Sequence, residues 1–363
     1  MLALRPKRAV VEPATASGSG AAAVHGIVDV KSDLLIELAY RRYEADPFGT
    51  HWLRQLTAGG IRLQVCATYA VELDLLPELA LRRLLEQINA FQRAVRDHAP
   101  SVYAVRLRID LDRAGGPGTI GLMLGMEGTE ALGYDPRMID IFWTLGVRMA
   151  SITWNRRNPF ADGPAEPNDG GLSNLGRALV ERMAELGMMI DLAHSSPRTC
   201  SEILQNVPNA TVLVSHAAAK SMRDLPRNMT DEQMRAIAER GGVFGIMPVA
   251  PFIDENNPTI ERVIDHIDHA VNVMGIEHVG IGGNFREQIH RSVPSGPMPE
   301  ILLPEGADRY AQIPGLVGPA DWPNLVSAME RRGYRGDRIE AILSANFLRL
   351  FRDALPERDP LSA

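Results

Sequence analysis

GLSNLGRALVERMAELGMMIDLAHSS, residues 171–196, reads as a helix, a stop, a buried strand and a polar strand end in immediate succession. Leu175, Leu179, Val180, Met183 and Leu186 fall at helical spacing and give the first half one apolar face. Gly187 is a C-cap signal, because glycine enters the left-handed conformation that ends a helix without a steric penalty. Met188 to Leu192 is then continuously apolar apart from one carboxylate, as suits a strand covered on both faces, and the run ends in His194-Ser195.

Seven further runs of this kind lie outward from it: Ile27 to Val30, Ile61 to Ala67, Thr119 to Gly125, Arg148 to Thr153, Thr211 to Ser215, Gly242 to Met247 and His278 to Gly282. Amphipathic stretches separate them. LLPELALRRLLEQINAFQRAVRDH precedes the third run, and MTDEQMRAIAERGG opens on a capping box, Thr230 with Gln233, and stops at a glycine pair. Eight alternating units, with no glycine-rich fingerprint after the first strand, predict an α/β chain closed into a (β/α)8 TIM barrel rather than an open doubly wound sheet. A length of 363 residues with 45% apolar and 23% charged residues fits one such domain over residues 25–363. Residues 1–24, MLALRPKRAVVEPATASGSGAAAV, lack the continuous apolar stretch of a signal sequence and read as a flexible tail on a cytoplasmic protein.

The net charge of −7 gives no electrostatic attraction for nucleic acid or an anionic membrane, and no window approaches a transmembrane span. A small-molecule or dipeptide-like substrate fits better, and a homodimer is compatible with the composition. Two cysteines, Cys66 and Cys200, are too few for a disulfide framework or a cysteine-rich zinc site and read as buried thiols.

In such barrels chemistry sits at the C-terminal ends of the strands. Those ends carry Lys31-Ser32-Asp33, Glu127-Gly128, Trp154-Asn155, His194-Ser195, His216 and Asn284-Phe285-Arg286. Two histidines and two carboxylates, His194, His216, Asp33 and Glu127, therefore gather at one rim, and these are ligand types that suit zinc with an open position for water. His266, His269 and His278 lie in or beside a helical stretch and are assigned core or surface roles.

GMEG around Glu127, VLVSHA around His216, LPRNMTDEQMRAIAERGGVFGI, DHIDHAVNVMGIEHVGIG and GYRGDRIEAILSANFLRLF, together with the opening stretch, resemble the membrane dipeptidase (renal dipeptidase, peptidase M19) family of binuclear zinc peptidases. The resemblance runs from about Ile27 onward and implies a metallo-dependent-hydrolase barrel. It implies that Glu127 bridges metals, that His194 and His216 complete one site, and that Arg227 grips a substrate carboxylate. The other role open to Arg227 is a structural salt bridge.

Departures from the family pattern accompany it. The family's His-x-Asp at the first strand end reads Lys31-Ser32-Asp33, its Thr-His-Asn reads Thr153-Trp154-Asn155, and its Ser-Asp-Phe-Asp reads Gly283-Asn284-Phe285-Arg286. The candidate set is therefore Glu127, Asn284 and Lys31 for catalysis, Arg227, Trp154, Asn155 and Arg286 for substrate, and Asp33, Glu127, His194 and His216 for metal. An ammonium at Lys31 repels a second cation, so one zinc ion is expected, unless Lys31 is carboxylated and becomes an oxygen ligand. Three activities stay open: single-zinc hydrolysis of the amide bond of a dipeptide or N-acyl amino acid, a non-peptidase reaction on an amino-acid-like metabolite, and binding without catalysis.

Overall fold

In the computed structural model the described residues are 26–70, 76–114, 118–286, 288–289, 293 and 302–358. The tail expected over residues 1–24 lies outside them. Among the described residues nine strands form: β1 (Ile27–Ser32), β2 (Ile61–Thr68), β3 (Val102–Ala104), β4 (Ile120–Glu127), β5 (Val147–Ser151), β6 (Met189–Asp191), β7 (Val212–Ala217), β8 (Phe244–Ile246) and β9 (Val279–Ile281). Eight of them run parallel in the order β1-β2-β4-β5-β6-β7-β8-β9, and short β3 pairs with β4 off this path. The end of β9 returns to β1 through Asn284 N donating to Lys31 O at 3.0 Å and Gly283 N donating to Asp29 Oδ1 at 2.7 Å. The architecture is a (β/α)8 barrel, and each of the eight strands expected from sequence is present.

Side-chain alternation along the strands builds two cores. Val28, Val30, Leu63, Val65, Met123, Met149, Met189 and Leu213 form one cluster with Phe347 and Phe351 of the last helix, Asn346–Ala354. The alternate residues, among them Ile27, Leu122, Leu124, Ala150 and Ile190, pack with the surrounding helices into a second and larger cluster.

Helix ends follow their local chemistry. Ser173 Oγ accepts from Gly176 N at the start of Asn174–Leu186, and Gly187 ends that helix at φ 73°. Thr230 and Gln233 form the reciprocal capping box of Asp231–Glu239, and Pro77 occupies the first turn of Pro77–Asp97.

One glycine has a direct bearing on the rim. A Cβ on Gly282 would lie 1.9 Å from the backbone oxygen of Ser215, the residue before His216. Gly282→Ala is therefore expected to displace β7 and to cost about 3 kcal/mol of stability, read as a lowered urea midpoint with an unchanged slope. An unshifted midpoint would show that β7 can move aside freely.

Candidate functional site

Glu127 is the last residue of β4, His194 follows β6 by three positions, and His216 lies in β7. All three are buried, and one ligand atom from each falls within 4.8 Å of the others. His194 Nε2 and His216 Nε2 stand 3.0 Å apart, and they lie 3.0 and 3.3 Å from Glu127 Oε1.

The other face of each imidazole is committed. His194 Nδ1 is 2.7 Å from Asn155 Oδ1, and His216 Nδ1 is 2.7 Å from Ser215 Oγ, which itself donates to Asp191 Oδ2. An amide oxygen only accepts and a hydroxyl has one proton, so both Nδ1 atoms carry hydrogen and both Nε2 atoms present lone pairs. Burial, with the nearby charge of Arg227, pushes the His194 imidazole down to about 3 and His216 well below its usual range. Both rings are therefore neutral.

Two lone pairs and a carboxylate oxygen thus face one another in a dry space. Glu127 Oε1 has no hydrogen-bond partner there, because no proton is available between it and either ring. The three atoms repel unless a cation lies among them, and two neutral imidazoles with one carboxylate are a donor set that fits a divalent ion such as zinc.

Backbone strain marks the same rim. Among the described residues the two non-glycine residues with positive φ are His194 at 63° and Asn284 at 43°. Thr153 Oγ1 holds the first of them by donating to His194 O at 2.7 Å.

Asp33, grouped with the ligands at the sequence level, is not part of the three-donor cluster. Its Oδ1 accepts from Lys31 Nζ in a tight ion pair, and the same ammonium donates to Glu127 Oε2 at 3.1 Å. Lys31 also lies 5.3 Å from the centre of the Tyr69 ring. Burial opposes its charge, but Asp33 and Glu127 overcome this and raise its pKa. Burial would raise Glu127, whereas the ammonium of Lys31 holds it well below the carboxylate range.

One cavity joins these groups. Asp33, Glu127, Trp154, Asn155, His194, Arg227, Asn284 and Arg286 all line it, which brings together every sequence-predicted site residue except His216 and Lys31 directly beneath. Arg227 Nη2 donates to His216 O at 2.7 Å, and its buried Nη1 has no partner. Among the described residues no salt bridge engages it. Asn155 reaches the cavity but commits its carbonyl to His194, and the Trp154 ring lies 6.3 Å from the His194 ring, centre to centre.

The model of the membrane dipeptidases, peptidase family M19, matches residues 21–296. The chain belongs to the membrane dipeptidase family. It is 29% identical over 273 residues to "Dipeptidase verJ" of Clonostachys rogersoniana, covering 75% of this chain and 65% of that one. It is 28% identical over 292 residues to "Dipeptidase 3" of Mus musculus, covering 77% and 53%. The chain therefore spans between about half and two thirds of the length of these relatives.

Among solved structures, a metallopeptidase from Rhodobacter sphaeroides liganded with a phosphinate mimic of the dipeptide L-Ala-D-Ala superimposes with a TM-score of 0.79 at 21% identity, over 91% of this chain and 99% of that one. An amidohydrolase from Pseudomonas aeruginosa gives 0.75 at 23% identity, over 92% and 98%. These likenesses establish the barrel. No described helix is long and apolar enough to cross a membrane.

Several residues of this membrane-dipeptidase-family site escape a reading of strand ends. Asp191 and Ser215 form the chain of hydrogen bonds behind His216, and Asp191 Oδ1 also accepts from the backbone of Ala193 and Ser215. A carboxylate inside the apolar run before His194 was the available signal. Tyr69, Met247, Phe252, Arg309 and Tyr310 complete the cavity from loops and strand ends that no local pattern connects to it. The three histidines in or beside the helical stretch take structural roles: His266 accepts from Ala219 N and bonds Ile253 O, His269 meets Asp231, and His278 bonds Gly242 O.

Proposed function

We propose that this member of the membrane dipeptidase family hydrolyses the amide bond of a dipeptide or N-acyl amino acid with one zinc ion, held by Glu127, His194 and His216. The observation that carries this is the convergence of two imidazole lone pairs and a partnerless carboxylate oxygen within one buried space. A zinc ion bound there supplies an acidified water and polarises a carbonyl.

The chain's own groups do the rest. Arg227 has a buried Nη1 with no partner and lines the cavity, so it can donate to a substrate carboxylate. Lys31 balances Asp33 and Glu127, and its ammonium takes the space in which a second cation would need those carboxylates. Trp154 contributes an apolar wall beside His194.

Proton handling is the weak point of this machinery. Asn284 lines the cavity but an amide cannot take up a proton, and Lys31 is held protonated by its two ion pairs. Hydrolysis of ordinary L,L-dipeptides is therefore expected about a hundredfold to ten-thousandfold below that of a site with a working base. The same observation favours the second reading, a relative turned to a different reaction on an amino-acid-like metabolite.

Elemental analysis of protein purified without added zinc, followed by assays on N-acetyl-alanine and Ala-Ala, separates these outcomes. One metal per chain is expected, with turnover lost to a chelator and restored by one equivalent of zinc. A count near two would sink the role given to Lys31. A metal-loaded chain that cleaves no amide would leave the second reading standing.

A further inference from the structure

Arg286 follows β9 and lines the same cavity as Glu127, His194 and Arg227. It makes no hydrogen bond or ion pair with any described residue. Among the described residues the two carboxylates that line the cavity, Asp33 and Glu127, are engaged by Lys31. A second guanidinium, Arg309, lines both this cavity and the adjoining one that Arg286 also borders, and its charge disfavours the charged form of Arg286. Two like charges thus border one cavity in a chain whose net charge is −7. Arg286 is half-buried, and a bidentate partner for its guanidinium is a carboxylate or a similar oxyanion.

Arg286 and Arg227 address different sides of Glu127. The charges acting on Arg227 are those of Glu127 and Asp191, and its Nη2 is anchored on His216 of β7. Arg286 responds more strongly to Asp33, just beyond β1, than to Glu127. Arg227 and Arg286 line one cavity with Glu127, so an amide with its amino-acid carboxylate at Arg227 can present its acyl arm to Arg286. A free α-ammonium on that arm would meet a guanidinium of its own sign.

Resting on the amide-hydrolase reading above, we infer that the substrate carries a second anionic group on its acyl side, and that Arg286 selects for that group. The class is an N-acyl amino acid whose acyl arm ends in a carboxylate. In its hydrolysis the water oxygen bonds to the acyl carbon, the C–N bond breaks and the nitrogen takes a proton. The products are a dicarboxylate and a free amino acid.

The probes are N-succinyl-alanine and its terminal amide, N-succinamoyl-alanine, each made with L- and D-alanine. They are isosteric and differ in one negative charge. For the zinc-loaded full chain, kcat/KM is expected to favour the succinyl compound at least about tenfold, with the ratio falling toward one in Arg286→Met. Calorimetric titration of both compounds into the zinc-free chain gives a readout that needs no turnover, and the same preference is expected there. Equal kcat/KM or equal affinity for the pair, or a preference that survives Arg286→Met, would overturn the inference. Preferential binding of the succinyl compound without cleavage would instead reject the amide-hydrolase reading and leave the anion subsite in place.

Discussion

The substitution His194→Ala is expected to strip the purified chain of its bound cation and to lower metal-dependent turnover at least about a thousandfold. His194 Nε2 faces His216 Nε2 at 3.0 Å and Glu127 Oε1 at 3.0 Å, so its loss leaves one imidazole and one carboxylate, too few for firm binding. Folding is expected to survive, because the ring lies at the rim rather than in either hydrophobic cluster, and removal of one of two facing lone pairs relieves repulsion in the metal-free chain. Zinc content and kcat/KM should fall together while the urea midpoint of the metal-free protein holds or rises. Asn155→Ala and Ser215→Ala remove only the partners of the two Nδ1 atoms, and their effect should be smaller, about tenfold to a hundredfold in zinc affinity. If His194→Ala retained a full equivalent of zinc, the cation would have to lie elsewhere.

Lys31→His should have the opposite effect on metal content and raise it toward two ions per chain. In the native protein the ammonium bonds both Asp33 and Glu127, the carboxylates a second cation would need. Imidazole at this position is a neutral ligand, and it frees Asp33. A variant that binds less metal than the native chain would show that Lys31 itself contributes a ligand, as a carboxylated lysine does. Lys31→Met separates charge from ligation. Its side chain is 3% exposed and its two partners are 10% and 7% exposed, so deletion of the cation leaves two buried carboxylates uncompensated. A loss of about 3–5 kcal/mol is expected at neutral pH, measured by urea unfolding of the metal-free protein. Added zinc should recover part of it by supplying positive charge to the same carboxylates.

The parts of the fold legible in sequence are those fixed by near neighbours. All eight barrel strands were visible because each is an apolar run closed by polar residues, and the helix ends at Ser173, Gly187 and Thr230 follow from hydrogen bonds made within a few residues. Val102–Ala104 was missed, since three residues paired to one side of β4 are too short to show a period. Strand limits also shifted: β7 runs Val212–Ala217 and so contains His216, which had been placed just beyond its strand.

At the site, sequence chemistry alone named Glu127, His194, His216 and Lys31 and placed them at one rim, because the end of a barrel strand is a position that alternation and register define, whereas Arg227 entered through the family resemblance. It could not say which donors share an ion. Asp33 and Glu127 are both strand-end carboxylates, and the three-donor cluster includes only Glu127. That distinction depends on Lys31 reaching a carboxylate 96 residues away as well as one two residues away, a balance of long-range geometry and burial that local pattern does not contain.

The sequence by itself therefore determined the barrel, the face that bears the chemistry and the residue types available there. Tertiary structure alone decided that the two Nε2 lone pairs meet Glu127, that Asp191 and Ser215 orient His216, and that Arg286 shares a cavity with Glu127 and Arg227 without an ion pair to any described carboxylate. The physical reason is that periodicity records which side of an element is buried, whereas distances between elements are set when the sheet closes and its strand ends are brought together.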